Sequence, residues 1–239
     1  MHQVRIPDEI VARIVKRRGR LHPFERIAGA KAALVVIDLQ NAFMLPDAPT
    51  AVAAAREIVP NVNRLAAATR AAGGKVVWVK MTLEDERTRW NVFFDHFGSL
   101  EHSAAEQAAL SRGNPGHQLY ATLEVRPGDL EVEKTRFSAF IQGSSDLDRI
   151  LRGRGIDTVI ITGTVTNTCC ECSARDAMML NYKTVFVSDA NAAHSDDEHN
   201  ATLANMLRLF ADVRSADEVA TLLGQEAAGG AAPLPSSAA

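Results

Sequence analysis

The sequence predicts an α/β fold in which a parallel sheet is covered by helices on both faces. Short apolar or β-branched runs alternate along the chain with segments of helical spacing. The most apolar run, residues 31–39 (KAALVVIDL), lacks period-two alternation, as a strand buried on both faces should. The third observation is residues 158–182 (TVIITGTVTNTCCECSARDAMMLNY), where a β-branched run breaks at Gly163. Helical spacing follows, with Cys170, Ala174, Ala177 and Met178 at i, i+4, i+7 and i+8. A buried strand feeds a helix there.

Taken in order, residues 1–30 form a basic lead-in with Ile6, Ile10 and Ile14 near helical spacing, followed by Arg17, Arg18 and Arg20. So few basic residues make too small a patch for a nucleic-acid arm, so this segment reads as a strut on the domain or on a neighbouring subunit. The main domain is expected over 31–224. Its first strand is closed by Asp38, and an alanine-rich helical stretch over 51–72 follows, with Pro60 marking a start or kink. Residues 75–81 (KVVWVKM) form the second strand. Residues 82–126 show no clean period and read as a loop-rich excursion, a lid, pocket wall or oligomer contact; Trp90, Phe93, Phe94 and Phe97 cluster in it. Residues 130–134 (LEVEK) alternate in polarity and suit an edge strand. A helix over 144–152 ends at Gly153. Residues 184–188 (TVFVS) form the fifth strand, a helix over 195–209 is capped by Ser195 or Asp196, and 212–223 supply a last strand and helix. Residues 225–239 are a small-residue and proline tail expected to be disordered.

A net charge of −3 gives no reason to expect nucleic acid or an anionic membrane as partner, and a small ligand is more natural. No apolar run approaches the roughly 18 residues of a membrane span, and a cytoplasmic location is expected. The three cysteines are near neighbours and cannot build a framework of long-range disulfides.

Asp38, Lys134 and Cys169 each fall at or just past a strand's carboxyl end, where ligands bind in parallel sheets. Thr168 followed three residues later by Glu171 has the form of a capping box, so the helix should begin near Thr168 with Cys169 in its first turn. Free backbone N–H groups there favour the thiolate and can hold an oxyanion. Asp38 as base and Lys134 as charge partner complete a nucleophilic site. The same letters contain a C-x-x-C, so a thiol–disulfide redox pair of Cys169 and Cys172 is the alternative, and a non-catalytic binding relative is a third class. His194 and His199 are five apart, the wrong spacing for a zinc helix, and no phosphate-binding or dinucleotide loop exists. No metal or other cofactor is expected.

Three stretches then resemble the isochorismatase-like cysteine hydrolases, which include nicotinamidases and the N-carbamoylsarcosine and ureidoacrylate amidohydrolases. They are residues 35–43 (VVIDLQNAF), 133–140 (EKTRFSAF) and 162–169 (TGTVTNTC) continuing through Ala174-Arg175-Asp176-Ala177. The resemblance spans roughly 31–223. It implies a three-layer α/β/α fold with a six-stranded parallel sheet and an Asp38–Lys134–Cys169 triad. It also implies a cis peptide between Val165 and Thr166 shaping an oxyanion hole with Cys169, and a homo-oligomer, dimer or tetramer. The Asp-x-His metal motif of nicotinamidases is replaced by Met81-Thr82-Leu83-Glu84-Asp85-Glu86, which argues against a bound zinc. A nucleophilic cysteine points to hydrolysis of a small amide, carbamoyl or ureido compound with release of ammonia, the alternative being an isochorismatase-type hydrolase of another small molecule. Asn41, Phe43, Trp90 and Phe137 are expected to line an apolar pocket, whereas Phe140 reads as core.

Overall fold

The computed structural model describes residues 1–84 and 89–229. Six strands form one parallel sheet: β1 (Ala32–Ile37), β2 (Lys75–Met81), β3 (Leu130–Lys134), β4 (Thr158–Thr164), β5 (Lys183–Ala192) and β6 (Asp212–Arg214). Their order is β3-β2-β1-β4-β5-β6, which puts LEVEK at an edge. Every residue of β1 and β4 is buried, because successive side chains enter two different cores.

On one face, Ala33, Val35, Ile37, Val159 and Ile161 pack with Leu147 and Leu151 of one helix, Leu147–Arg152, and with Ala174 and Ala177 of another, Glu171–Met179. On the other, Leu34, Val36 and Ile160 meet Val62, Leu65 and Ala66 of helix Val59–Ala71, and Val219 and Leu223 of helix Ala216–Gly229. Three layers result. Pro60 lies in the first turn of helix Val59–Ala71, where its missing N–H costs nothing. Ser195 caps helix Asp196–Asn205 by accepting from the Glu198 N–H.

The lead-in contains helix Asp8–Arg18, whose Ile14 is buried in the first core and whose Arg18 donates to the Leu207 carbonyl at 2.7 Å. It is a strut on its own domain. Gly163 has φ +123°, and a Cβ there would overlap the Ile37 backbone, so only glycine lets β1 and β4 close up beside the site.

Three expectations need correction. The excursion is loop only in part: it also holds helices Asn91–His96 and Leu100–Ala109 and a 3-10 turn, Pro115–His117. The longer helix buries Ser103 and Glu106, polar residues that leave no apolar stripe to read. Strand β5 runs to Ala192 rather than ending at 188, through an irregularity where Asn191 donates to the Ile161 and Val187 carbonyls. The last helix continues to Gly229, past the expected domain end at 224, because Gln225 to Ala228 carry no breaker; residues 230–239 of the tail lie outside the described residues. No helix among the described residues is long and apolar enough to cross a membrane.

Candidate active site

The chain runs from β1 outward through β2 to β3, then crosses to β4 on the other side of β1. The crevice opens at that reversal, above the carboxyl ends of β1 and β4. Asp38 follows β1 directly at φ +55°, a left-handed conformation that aspartate tolerates better than most residues, and its N–H donates to the Val79 carbonyl at 2.9 Å. Lys134 is the last residue of β3. Cys169 sits in a π turn, Thr166–Cys170, that leads into helix Glu171–Met179.

That turn departs from expectation twice. The capping box does not form, because Glu171 is engaged elsewhere: its Oε1 accepts from Arg175 and its Oε2 from the Thr202 hydroxyl at 2.5 Å. Helical backbone starts at Thr166 instead of Thr168, and the cis peptide lies between Thr164 and Val165, one bond ahead of the expected Val165–Thr166.

Asp38 and Lys134 are fully buried and Cys169 nearly so. The Lys134 Nζ lies 2.8 Å from Asp38 Oδ2 and 3.4 Å from Cys169 Sγ, and it also donates to the Arg136 carbonyl at 3.1 Å. Neither Asp38 oxygen has a donor in regular hydrogen-bond geometry, so its contact with Lys134 is electrostatic more than directional. Burial raises the pKa of Asp38, and the Lys134 ammonium opposes it without cancelling it. For Lys134 burial acts downward, but Asp38 and Cys169 outweigh it and the amine stays charged. Burial pushes the Cys169 thiol well up, the Asp38 charge adds to this, and Lys134 opposes. Both influences disfavour the thiolate that a helix N-terminus alone would favour, and the raised pKa of Asp38 suits a group that can accept a proton.

Cys169 opens into a cavity of about 250 Å³. Phe43, Met81, Phe137 and Val165 give it apolar walls. Two expected wall residues are elsewhere. Asn41 donates from Nδ2 to the Pro115 carbonyl at 2.9 Å and pins the 3-10 turn, because its short amide reaches that carbonyl and not the cavity. Trp90 stacks on Phe93 at 4.6 Å and meets Phe137 edge-on at 4.8 Å, so it backs the wall from behind. Phe140 lies in the core against Tyr182. Cys172 lines a separate depression with Trp90 and Met179.

The family model for the isochorismatase domain matches residues 32–218. The chain belongs to the isochorismatase family. It is 32% identical over 232 residues to the ureidoacrylate amidohydrolase RutB of Pseudomonas savastanoi pv. phaseolicola, covering 91% of this chain and 93% of that one. Among solved structures, a cysteine hydrolase from Pseudomonas syringae pv. phaseolicola superposes with a TM-score of 0.78 at 28% identity, over 87% of this chain and 98% of that one. The N-carbamoylsarcosine amidase of Thermoplasma acidophilum gives 0.64 at 28% identity, over 78% and 97%.

Several groups that line the cavity of this isochorismatase-family site were not expected there from the sequence. Glu106 and His102 line the cavity from helix Leu100–Ala109, and Thr50, Thr168 and His194 line it as well. The one available signal was the i, i+4 spacing of His102 and Glu106, invisible while the segment read as loop. Gln40 is fully buried with its amide satisfied: Nε2 donates to the Met81 and His117 carbonyls, and Oε1 accepts from the Met81 N–H at 2.7 Å. It locks the end of β2 beside Lys134. Among the described residues no three His, Cys, Asp or Glu side chains converge as a metal site, and Asp85 and Glu86 lie outside them.

Behind the cysteine turn, Thr166 Oγ1 lies 3.0 Å from His199 Nδ1, while His199 Nε2 is 2.9 Å from the Ser188 carbonyl. A carbonyl only accepts, so Nε2 carries the proton, Nδ1 accepts from Thr166, and the ring is neutral. Burial lowers its pKa to about 4, the stacked His2 ring adding to the effect. With its folded pKa depressed, the stability this histidine contributes is complete above about pH 6.5 and is lost as the pH falls through about 4, some ~3 kcal/mol in all. Urea unfolding at pH 7 and pH 4 should show that loss in the native protein and most of it missing from His199→Gln.

Proposed function

We propose that this chain is a cysteine-dependent amidohydrolase that cleaves a C–N bond of a small amide, carbamoyl or ureido compound through a covalent Cys169 intermediate, releasing ammonia. The observation that carries the reading is a buried lysine within 2.8 Å of Asp38 and 3.4 Å of Cys169, with Cys169 opening into a cavity that has apolar side chains on part of its wall. The ureidoacrylate amidohydrolase and N-carbamoylsarcosine amidase among its relatives support the substrate class.

Asp38 takes the thiol proton as sulfur attacks the carbonyl carbon. Backbone N–H groups of the turn at Thr166 and Cys169 face the developing oxyanion, each such donor being worth about 3–4 kcal/mol. Asp38 returns the proton to the leaving nitrogen, and ammonia departs. Water, activated by the same carboxylate, cleaves the thioester or carbamoyl thioester, and the proton passes back to the thiolate. Lys134 stays charged throughout and balances whichever of Asp38 and Cys169 is anionic. Nucleophile, base and counter-charge are all supplied by side chains.

The test is ammonia release over a panel of primary amides and ureido acids, with and without chelator. Turnover that resists chelator, vanishes in Cys169→Ala and persists in Cys172→Ala is expected. Dependence on Cys172 would favour the thiol–disulfide alternative. A homo-oligomer belongs to the same proposal: Phe97, Met179 and Val92 are more than half exposed and offer an apolar surface for it. Sedimentation velocity giving a monomer would remove that part.

A further inference from the structure

We infer that Glu106 selects the substrate of this site by its far end, favouring a tail that presents a hydrogen-bond donor, an amine or amide N–H, over one that ends in a carboxylate. The inference rests on the reading of Cys169 as nucleophile and narrows its substrate class. Glu106 is 9% exposed, projects from helix Leu100–Ala109 and lines the cavity into which Cys169 opens. Its carboxyl group makes no hydrogen bond or ion pair with any described residue. A carboxyl this little exposed and without a protein partner is poorly solvated, and a donor arriving with the ligand supplies what water supplies only in part.

The surroundings decide the sign. Phe43, Met81, Phe137 and Val165 supply no donor from their side chains. Among the described residues the lining contains no lysine or arginine, and the Lys134 ammonium is committed to Asp38 and Cys169. His102, one turn earlier on the same helix, and His194 also border the cavity; next to Glu106, His102 offers a tail carboxylate no site free of a competing carboxyl. Burial raises the pKa of Glu106, with His102 opposing. In either protonation state it accepts from an N–H. A substrate carboxylate facing it either meets a like charge or forces proton uptake in a poorly hydrated space.

The experiment is steady-state kinetics on a matched set of primary amides: butanamide, succinamide, 4-aminobutanamide and succinamate. The last two carry opposite charges, and succinamide is nearly isosteric with succinamate. In the native protein, kcat/KM for succinamide or 4-aminobutanamide should exceed that for succinamate by at least ~10-fold. Glu106→Gln should narrow the succinamide–succinamate gap at least ~10-fold, and Glu106→Leu should remove the advantage of both donor tails over butanamide. A preference between 4-aminobutanamide and succinamide tells a cationic donor from a neutral one. Equal use of succinamide and succinamate by native protein and Glu106→Gln overturns the assignment.

A second readout does not need turnover. Cys169 is alkylated with iodoacetamide or iodoacetate, which differ in the same way, and its labelling rate is followed by mass spectrometry. The amide-to-acid rate ratio should fall at least ~10-fold in Glu106→Gln. An unchanged ratio overturns the role of Glu106 whatever the panel shows. If no amide turns over in the native protein while the ratio still falls, the amidohydrolase reading fails and the donor-selecting site stands.

Discussion

Cys169→Ala should lose ammonia release by on the order of 10⁴-fold or more while its unfolding free energy stays within about 1 kcal/mol of the native value. The two halves of that result have different origins. Cys169 packs in the first core, but truncation removes a single atom beside the cavity, and the packing of Ala174 and Ala177 still holds the helix that follows. The chemistry has no substitute. Asp38 is separated from the carbonyl by the space the sulfur occupied, and a carboxylate working only on water must find a nucleophile it does not position. Ammonia assays beside urea titrations check both halves. Loss of activity matched by loss of several kcal/mol would mean that Cys169 is structural, and would sink the mechanism.

Lys134→Met should be the most disruptive single change at the site, costing about 3–5 kcal/mol at neutral pH as well as turnover. Met fills most of the lysine's volume, so the cost comes from charge: Asp38 is left fully buried with no cation beside it. Its pKa, already raised by burial, rises further when the opposing ammonium is gone. A carboxyl with its folded pKa raised contributes stability that is complete below the ordinary carboxylate range and is lost as the pH rises through the folded value. The penalty of Lys134→Met should therefore grow from pH 5 to pH 8, and the acid limb of any residual activity should move upward. Asp38→Asn combined with Lys134→Met should restore most of the stability and none of the activity. If the double variant is as unstable as the single one, the pair is held by packing and not by charge.

Much of this was legible in the sequence because burial writes itself plainly. A strand covered on both faces, such as β1 or β4, has nowhere to put a polar residue, so its letters announce it. Asp38, Lys134 and Cys169 stood out because each falls at or just past the carboxyl end of a strand. The parts that stayed hidden share the opposite property. Helix Leu100–Ala109 buries Ser103 against the Phe94 carbonyl and Glu106 toward a cavity, so its inward face is polar and the helical period disappears. Asn41 looked like a pocket residue by its closeness to Asp38, yet adjacent residues on a turn point apart, and its amide went to Pro115. The thiol was read from helix geometry alone, whereas its protonation depends on Asp38 and on burial, both fixed by contacts distant in sequence.

The position of β1 also governs the order in which the protein can be made. Its first neighbour, β2, follows soon after it, but its second, β4, begins only at Thr158. At about 5–20 residues per second, a ribosome leaves one edge of the most apolar strand open for roughly 6–25 s. By the end of that interval Asp38 and Lys134 exist and Cys169 does not, so no chain released within it can be catalytic. A chain released before Thr158 carries a bare, buried-type strand edge, which makes it an aggregating fragment and not a weak enzyme.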